Sequence, residues 1–240
     1  RGLGDVYKRQ VKMIGMREGF GDRMAEGTKC LAEMIGKGSE RFAMRAKGLE
    51  LGGYDPRGAK AQGLTYAIGN RGGCHHANGC PARTELPENR LDYRGKGLLV
   101  KRLTSNQIIY DSAVLCGFTR GEIAMDLAAR LLTAVTGVTY DATLLDEIGS
   151  RVNTVERAFN VESGVTRKDD SLPRRILEEP LPDGLAKGQV LRPEELEQMK
   201  DEYYTALGWD VATGIPARST LNQLGLSDIA ERLTLSEKIK

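Results

Sequence analysis

The sequence predicts a mainly α-helical protein, and three observations lead to this fold class. Apolar residues recur at three- to four-residue steps over most of the chain, which is the spacing that lines one face of a helix. No segment shows the sustained alternation of apolar and polar residues that a half-buried strand requires. Proline, aspartate and glycine stand where the periodic segments begin and end, as helix termini prefer.

Two helices are predicted in the first third of the chain. The first covers residues 18–35, and Gly36-Lys37-Gly38 ends it because glycine supplies a positive-φ cap. Asp55-Pro56 begins the second, since aspartate caps free amides and proline tolerates the first helical position. This second helix is predicted to pass through Ile68 and to end at Gly72-Gly73.

Two loops and five helices complete the prediction. The polar stretch after Gly72-Gly73 contains Pro81 and Pro87 and is interpreted as a loop, and 165–191 is interpreted as an extended surface loop rich in proline, glycine and charge. The remaining helices are predicted over residues 97–110, 121–136, 139–163 (with a stop near Gly164), 193 onward and 219–233 (broken by Gly225).

Composition indicates an ordinary globular chain. It has 240 residues, 40% hydrophobic and 28% charged, with a formal net charge of +2. Without a basic block, nothing favours nucleic acid as a partner, and no apolar run approaches the ~20 residues that would span a membrane. Four irregularly spaced cysteines do not suggest a disulfide framework, so reduced thiols and a cytoplasmic protein are expected.

The first ten residues are expected to be non-native. The run Asp5-Val6-Tyr7-Lys8-Arg9-Gln10 looks like the translation of a transposase adapter used in sequencing libraries, and no initiator methionine precedes it. On this interpretation residues 1–10 should be left out of fold reasoning and the coding sequence is interrupted there. A native polar tail is the alternative.

Two short motifs concentrate the chemistry of this chain. Gly69-Asn70-Arg71-Gly72-Gly73-Cys74-His75-His76 holds the only two histidines, and Asp111-Ser112-Ala113-Val114-Leu115-Cys116 begins with a carboxylate and ends with a thiol. Imidazole suits proton transfer because its unperturbed pKa of ~6.5 lies near neutral pH. The Gly-Gly pair would let the backbone approach a cofactor closely.

The same residues have simpler interpretations. A cysteine such as Cys30 or Cys116 is usually a small buried hydrophobe, and His75 could cap a helix that ends at the glycine pair. The run from Cys74 to Cys80 encloses both histidines and could also be a zinc site, although its spacing fits no familiar zinc motif.

Together with Glu50-Leu51-Gly52-Gly53-Tyr54-Asp55-Pro56-Arg57-Gly58, these motifs resemble the C-terminal half of the tungsten-containing aldehyde ferredoxin oxidoreductases. The resemblance runs from about residue 16 to about residue 231. It implies helical C-terminal domains, with residues 11–50 as the end of the second domain and 51–240 as the third.

The resemblance implies roles for six residues. Asp111 would bind the amino-pyrimidine edge of a pterin with Leu115 beside it, and Cys116 would ligate a [4Fe–4S] cluster whose other three cysteines lie upstream of this chain. Val114 stands where the family usually has glycine, which a β-branched residue replaces poorly. His75 would be the catalytic proton acceptor or oxygen partner, and Asn70 and Arg71 would reach pterin or phosphate.

For the complete enzyme, the resemblance implies a tungsten or molybdenum bis-pterin that oxidises an aldehyde to a carboxylic acid, with ferredoxin as electron acceptor. The chain alone is expected to be inactive, and whether it forms a homo-oligomer is open. Two alternatives remain: another redox reaction of the family (aromatic-ring reduction or sugar aldehyde oxidation), and a non-catalytic helical module that lost the cofactor. Arg57 is either a cation of the cofactor channel or an ion-pair partner at a helix start.

Overall fold

A computed structural model describes residues 3–119, 122–236 and 238–239. It confirms a mainly α-helical chain, in which a single small hairpin provides the only named strands of the described residues. The elements are α1 (Leu3–Gly15), α2 (Phe20–Met24), α3 (Gly27–Ile35), β1 (Arg45–Ala46), β2 (Leu49–Glu50), α4 (Lys60–Ile68), α5 (Pro81–Thr84), α6 (Lys96–Ser112), α7 (Met125–Thr136), α8 (Ala142–Glu162), α9 (Arg174–Glu178), α10 (Pro193–Ala206), α11 (Arg218–Gln223) and α12 (Ser227–Leu235).

The helix predicted over residues 18–35 is two helices in the structure. The break lies between α2 and α3, where Gly27 has φ +82°. The carboxylate of Glu50 accepts hydrogen bonds from the backbone N–H of Thr28 (3.2 Å) and from its hydroxyl (2.8 Å). A distant acid therefore caps the start of α3, which favours a new helix there over a continuous one.

The second predicted helix begins later and ends earlier than expected. Asp55 accepts a hydrogen bond from the backbone N–H of Arg57 at 2.9 Å and so closes a turn, while α4 begins at Lys60 and ends at Ile68. The loop predicted around Pro81 contains the short helix α5.

Later elements follow the predictions more closely. The break near Gly225 separates α11 from α12, and the segment predicted to be an extended loop contains α9. The start predicted at Gly121 lies outside the described residues, and α7 is described from Met125. Helix α1 covers part of the segment interpreted as non-native, and the division of the chain after Glu50 stays a prediction.

Helix α4 lies at the centre of the main core. All nine of its residues are buried, and it packs against α6 and α10. Trp209, the only tryptophan of the sequence, stacks on Tyr204 with ring centroids 5.9 Å apart and anchors the packing of this core. The core around α4 consists of Ala61, Leu64, Tyr66, Ala67, Ile68, Val100, Leu172, Ile176, Leu191, Leu196, Met199, Tyr203, Tyr204, Leu207 and Trp209.

A buried ionic cluster joins this core to the hairpin. The fully buried carboxylate of Asp170 lies 2.7 Å from Lys47 Nζ and 2.7 Å from Arg157 Nη2, and it accepts a 2.5 Å hydrogen bond from the Tyr204 hydroxyl. Lys47 belongs to the turn between β1 and β2, Arg157 to α8 and Tyr204 to α10. Burial lowers the pKa of Lys47 below its usual value, although the charge of Asp170 opposes this shift.

Among the described residues, no helix is both long enough and apolar enough to cross a membrane.

Candidate functional site

The two motifs singled out in the sequence meet at one small cavity. Its volume is about 150 Å³, and it brings the imidazoles of His75 and His76 to the same space as the thiol of Cys116. The complete lining is His75, His76, Cys80, Arg83, Cys116, Gly117 and Phe118. A larger groove of about 780 Å³ shares no lining residue with it, and three of its arginines (Arg41, Arg174 and Arg175) pair with Glu178 or Glu179 of the same groove. We therefore place the candidate site at the smaller cavity.

The hairpin holds the turn that carries the histidines. A Cβ at Gly72 would lie 2.3 Å from the carbonyl oxygen of Ala46, and one at Gly73 would lie 2.7 Å from that of Leu49. Both distances are shorter than any real Cβ contact. The close approach that the glycine pair allows is thus between the turn and the hairpin, whereas the sequence had suggested an approach to a cofactor.

His75 is the more enclosed of the two histidines. It is half-buried, and its ring centroid lies 5.6 Å from that of Tyr54 and 4.0 Å from that of His76. His76 is exposed. A ring held between neighbours on two sides has fewer rotamers available, so His75 is better suited to work at a fixed geometry.

Cys116 lies just beyond the end of α6 and is exposed. The interpretation of this cysteine as a small buried hydrophobe is therefore wrong for the structure. Cys30, by contrast, is half-buried within α3, and Cys80 is buried at the start of α5. An accessible thiol at the rim of a cavity is the form in which cysteine can bind iron.

Helix α6 ends in a hydrogen-bonding pattern that normally uses glycine. The backbone N–H of Leu115 donates to the carbonyl of Tyr110 at 2.8 Å, and that of Val114 donates to the carbonyl of Asp111 at 3.2 Å. This pattern, the Schellman motif, needs a left-handed residue, and Val114 has φ +57°. The same two hydrogen bonds end α8, α10 and α11, where the left-handed residues are Gly164, Gly208 and Gly225.

We expect Val114→Gly to raise the free energy of unfolding by about 0.5–1 kcal/mol. The left-handed conformation costs an ordinary residue about 1–2 kcal/mol, whereas the greater freedom of glycine in the unfolded chain costs roughly 0.5–1 kcal/mol. The Val114 side chain is 91% exposed, so its removal loses no packing. Urea denaturation measures the change, and Gly164→Val at the matching position of α8 should lower stability. Equal stability of Val114→Gly and the parent chain would show that the turn is unstrained.

The carboxylate of Asp111 is exposed in the last turn of α6. Its Oδ1 accepts a 2.6 Å hydrogen bond from Nε2 of the buried Gln107. The other amide atom, Gln107 Oε1, is buried without a hydrogen-bond partner among the described residues. Gln107 therefore orients Asp111 at the cost of an unsatisfied acceptor, which indicates a fixed carboxylate. Leu115 is half-buried, its backbone N–H forms the bond to Tyr110 that ends α6, and its place beside a pterin stays a prediction.

Two other predicted site residues contact the protein instead of the cavity. Asn70 Nδ2 donates to Asn153 Oδ1 and to Glu156 Oε2, both at 3.0 Å, so its side chain ties the turn to α8. Arg71 is exposed, and its Nη2 lies 3.4 Å from Cys74 Sγ. Their roles in cofactor binding stay predictions.

Arg57 and the zinc interpretation are resolved by geometry. Arg57 is buried and forms two hydrogen bonds to Asp55, at 3.0 and 2.7 Å, so it is an ion-pair partner. Among the described residues, no three side chains of His, Cys, Asp or Glu come together as a metal site. In the part of the chain that the structure describes, the side chains from Cys74 to Cys80 are therefore not arranged as a zinc site.

Sequence reasoning missed several residues around the cavity. Arg83 lies 5.4 Å from the centroid of the Phe118 ring, and both line the cavity. Tyr66 and Gly52 lie beside His75. An exposed arginine or a tyrosine on a buried helix has no distinctive pattern, so no local signal in the sequence marks these positions.

Comparison with known proteins identifies the family. The sequence model of the family described as "Aldehyde ferredoxin oxidoreductase, domains 2 & 3" matches residues 2–226. The tungsten-containing aldehyde ferredoxin oxidoreductase of Pyrococcus furiosus is 39% identical, and that of Thermococcus kodakarensis is 37% identical. Each alignment covers 93% of this chain and 37% of the relative, so the chain spans little more than a third of these proteins.

A solved structure supports the fold. The active site complex BamBC of benzoyl coenzyme A reductase, determined with 1,5 dienoyl-CoA, superposes with a TM-score of 0.75 at 21% identity. The superposition covers 99% of this chain and 41% of that one. On the family match and the two sequence relatives, this chain belongs to the aldehyde ferredoxin oxidoreductase family and matches its domains 2 and 3.

Proposed function

We propose that this chain is the C-terminal part of a cytoplasmic tungsten–pterin oxidoreductase that oxidises an aldehyde to a carboxylic acid. Electrons would leave through a [4Fe–4S] cluster to ferredoxin. The observation that carries the proposal is the single cavity that joins His75, His76 and the exposed thiol of Cys116. The relatives' names supply the metal and the substrate class.

The described residues supply only part of the ligand set that an iron–sulfur cluster needs. A cubane cluster usually takes four cysteine ligands, and Cys116 offers one accessible thiol. The described residues bring no third metal-binding side chain to it. The fit therefore requires ligands from elsewhere in a longer protein, in line with the length of the relatives.

The residues also fit a pterin. Asp111 offers an exposed carboxylate close in sequence to Cys116, and the hydrogen bond from Gln107 fixes its orientation. A carboxylate accepts the paired N–H donors of an amino-pyrimidine edge well. The tungsten–pterin group would supply the two-electron redox chemistry when bound. This chain would supply its anchor, one cluster ligand and a proton-transfer group.

The proton balance gives His75 its role. Oxidation of an aldehyde to its acid takes up one water and releases two protons and two electrons. A neutral imidazole at the cavity can accept one of these protons or hold the oxygen that carries it. His75 is favoured over His76 because it is half-buried, whereas His76 is exposed.

Replacement of Cys116 tests the proposal. In the complete enzyme, we expect Cys116→Ser to break or convert the cluster while tungsten remains, because Asp111 and the upstream region would still hold the pterin. The variant should lose ferredoxin reduction. Anaerobic electron paramagnetic resonance of the dithionite-reduced protein, together with iron and tungsten analysis, measures both effects. Cys30→Ser is the matched control, since Cys30 lies within α3 and away from the cavity lining.

An unaltered cluster signal at full occupancy in Cys116→Ser would remove this residue from the site. A parent enzyme that binds neither tungsten nor iron would instead favour the non-catalytic alternative.

A further inference from the structure

The ring of His75 packs directly against the backbone of Gly52. A Cβ at Gly52 would lie 2.8 Å from His75 Nδ1 and 3.3 Å from His75 Cγ. Any side chain at this position would therefore displace the ring. Gly52 does not have a positive φ, so its backbone conformation does not require glycine. Glycine is needed here because a side chain would occupy the space of the His75 ring.

The position that a Cβ of Gly52 would occupy also lies beside the buried hydroxyl of Tyr66. The missing Cβ of Gly52 would also be 3.1 Å from the phenol oxygen of Tyr66. Tyr66 belongs to α4, is fully buried, and its hydroxyl makes no hydrogen bond of normal geometry with the described residues. The phenol proton therefore has no acceptor among the described residues.

The Tyr66 hydroxyl can donate the hydrogen bond that Nδ1 of His75 can accept. Burial raises the pKa of the Tyr66 phenol to about 12, so it remains a protonated donor at neutral pH. Nδ1 of a neutral imidazole accepts a hydrogen bond when its proton resides on Nε2. Nδ1 is the ring nitrogen of His75 that lies nearest to the position that a Cβ of Gly52 would occupy, beside the Tyr66 hydroxyl.

We propose that Gly52 and Tyr66 together position His75: Gly52 leaves room for the ring, and the Tyr66 hydroxyl donates to Nδ1 so that the neutral ring carries its proton on Nε2. A buried hydroxyl without an acceptor is unfavourable, so a small rotation of either side chain that forms this bond is favoured. This inference rests on the proposed function and specifies it. With its proton on Nε2, His75 enters the reaction as a hydrogen-bond donor to the substrate oxygen, and it can take up a proton at Nε2 only after that hydrogen has been passed on.

Nuclear magnetic resonance of the 240-residue chain tests the proposal without metal or substrate. The chain has only two histidines, so His76→Gln leaves a single imidazole to observe. Long-range ¹H–¹⁵N spectra at a pH where the ring is neutral distinguish the two tautomers. We expect the proton on Nε2 in this background, and a mixture of both tautomers when Tyr66→Phe is added. Tyr140→Phe, in the connection between α7 and α8, is the control and should change nothing.

Neighbouring glycines provide a second, steric test. Gly52→Ala should shift the His75 resonances, whereas Gly53→Ala should not, because a Cβ at Gly53 has no atom within 4 Å. In the complete enzyme, Tyr66→Phe should lower kcat by about 10-fold or more while tungsten and iron contents stay unchanged, as for other partners that orient a functional histidine.

A proton on Nδ1 in the His76→Gln chain, or a tautomer unaffected by Tyr66→Phe, would overturn the proposal. Because the tautomer is read without cofactors, these outcomes are independent of whether the complete enzyme oxidises aldehydes. Conversely, an enzyme that lacks tungsten would refute the proposed function and leave the measured tautomer as it is.

Discussion

Asp170→Ala is expected to lower the free energy of unfolding by about 3–5 kcal/mol, as the loss of one partner from a buried ion pair usually does. The substitution would leave Lys47 and Arg157 as buried cations without their carboxylate, and it would remove the acceptor of the Tyr204 hydroxyl. Urea denaturation of the 240-residue chain measures the loss. Asp92→Ala is the control: Asp92 pairs with Arg94 at an exposed position, where a pair contributes little.

The loss should also depend on pH. Burial lowers the pKa of Lys47 below 10.5, so between its folded and unfolded pKa values the unfolded chain holds more protons. Stability therefore rises with pH in that window. Without Asp170 the pKa of Lys47 falls further, because the opposing charge is gone. The difference in free energy of unfolding between the parent chain and Asp170→Ala should then become smaller as the pH is raised toward 10.5, because Lys47 becomes neutral. If this difference does not change with pH, the loss of stability comes from Arg157 and Tyr204 and not from Lys47.

Helix α8 and the buried ionic cluster around Asp170 show which parts of the fold can be predicted from the sequence and which cannot. Helix α8 was predictable because its signals are local: an apolar periodicity, Asp141 before it and Gly164 after it. In the structure, Asp141 accepts a 2.8 Å hydrogen bond from the backbone N–H of Leu144, and Gly164 has φ +93°. The pairing of Lys47 with Asp170 leaves no such trace, because its partners are far apart in sequence and look like ordinary surface charges.

Of the two breaks within predicted helices, one has a local signal in the sequence and the other does not. Gly225 separates α11 from α12 and could be predicted, because a glycine in a helical pattern is a local signal. The break between α2 and α3 depends on Glu50, which caps Thr28 from a distant part of the chain. A tertiary contact overrides the helical pattern there, and periodicity alone could not show it.

The candidate site was predictable only through the resemblance to a family. Neither the spacing nor the composition of the two motifs implies that His75 and Cys116 share a cavity, since each motif is compatible with a helix end. The strain at Val114 was predictable in the same way, because the resemblance implies glycine where this chain has a β-branched residue, and its φ of +57° agrees. Tyr66 could not be singled out, because a tyrosine on a helix that is buried on all sides looks like core.

His75→Ala should have the largest effect on turnover in the complete enzyme. We expect kcat to fall by about 10²–10⁴-fold, as is typical when a proton-transfer group is removed. Iron and tungsten contents should stay unchanged, because the proposed cluster ligand is Cys116 and the proposed pterin anchor is Asp111. Anaerobic assays of aldehyde oxidation, with metal analysis of the same samples, measure both quantities.

His76→Ala is the control for that prediction. Both imidazoles line the cavity with ring centroids 4.0 Å apart, so loss of either one changes the cavity's polarity and volume in a similar way. They differ in enclosure: His75 packs against Gly52 and near Tyr54, whereas His76 is exposed. A group that transfers a proton at fixed geometry needs that enclosure, so His76→Ala should retain most of the activity. The opposite ranking would assign proton transfer to His76 and leave His75 as a packing residue. Equal losses would show that the polarity of the cavity, and not one positioned imidazole, supports turnover.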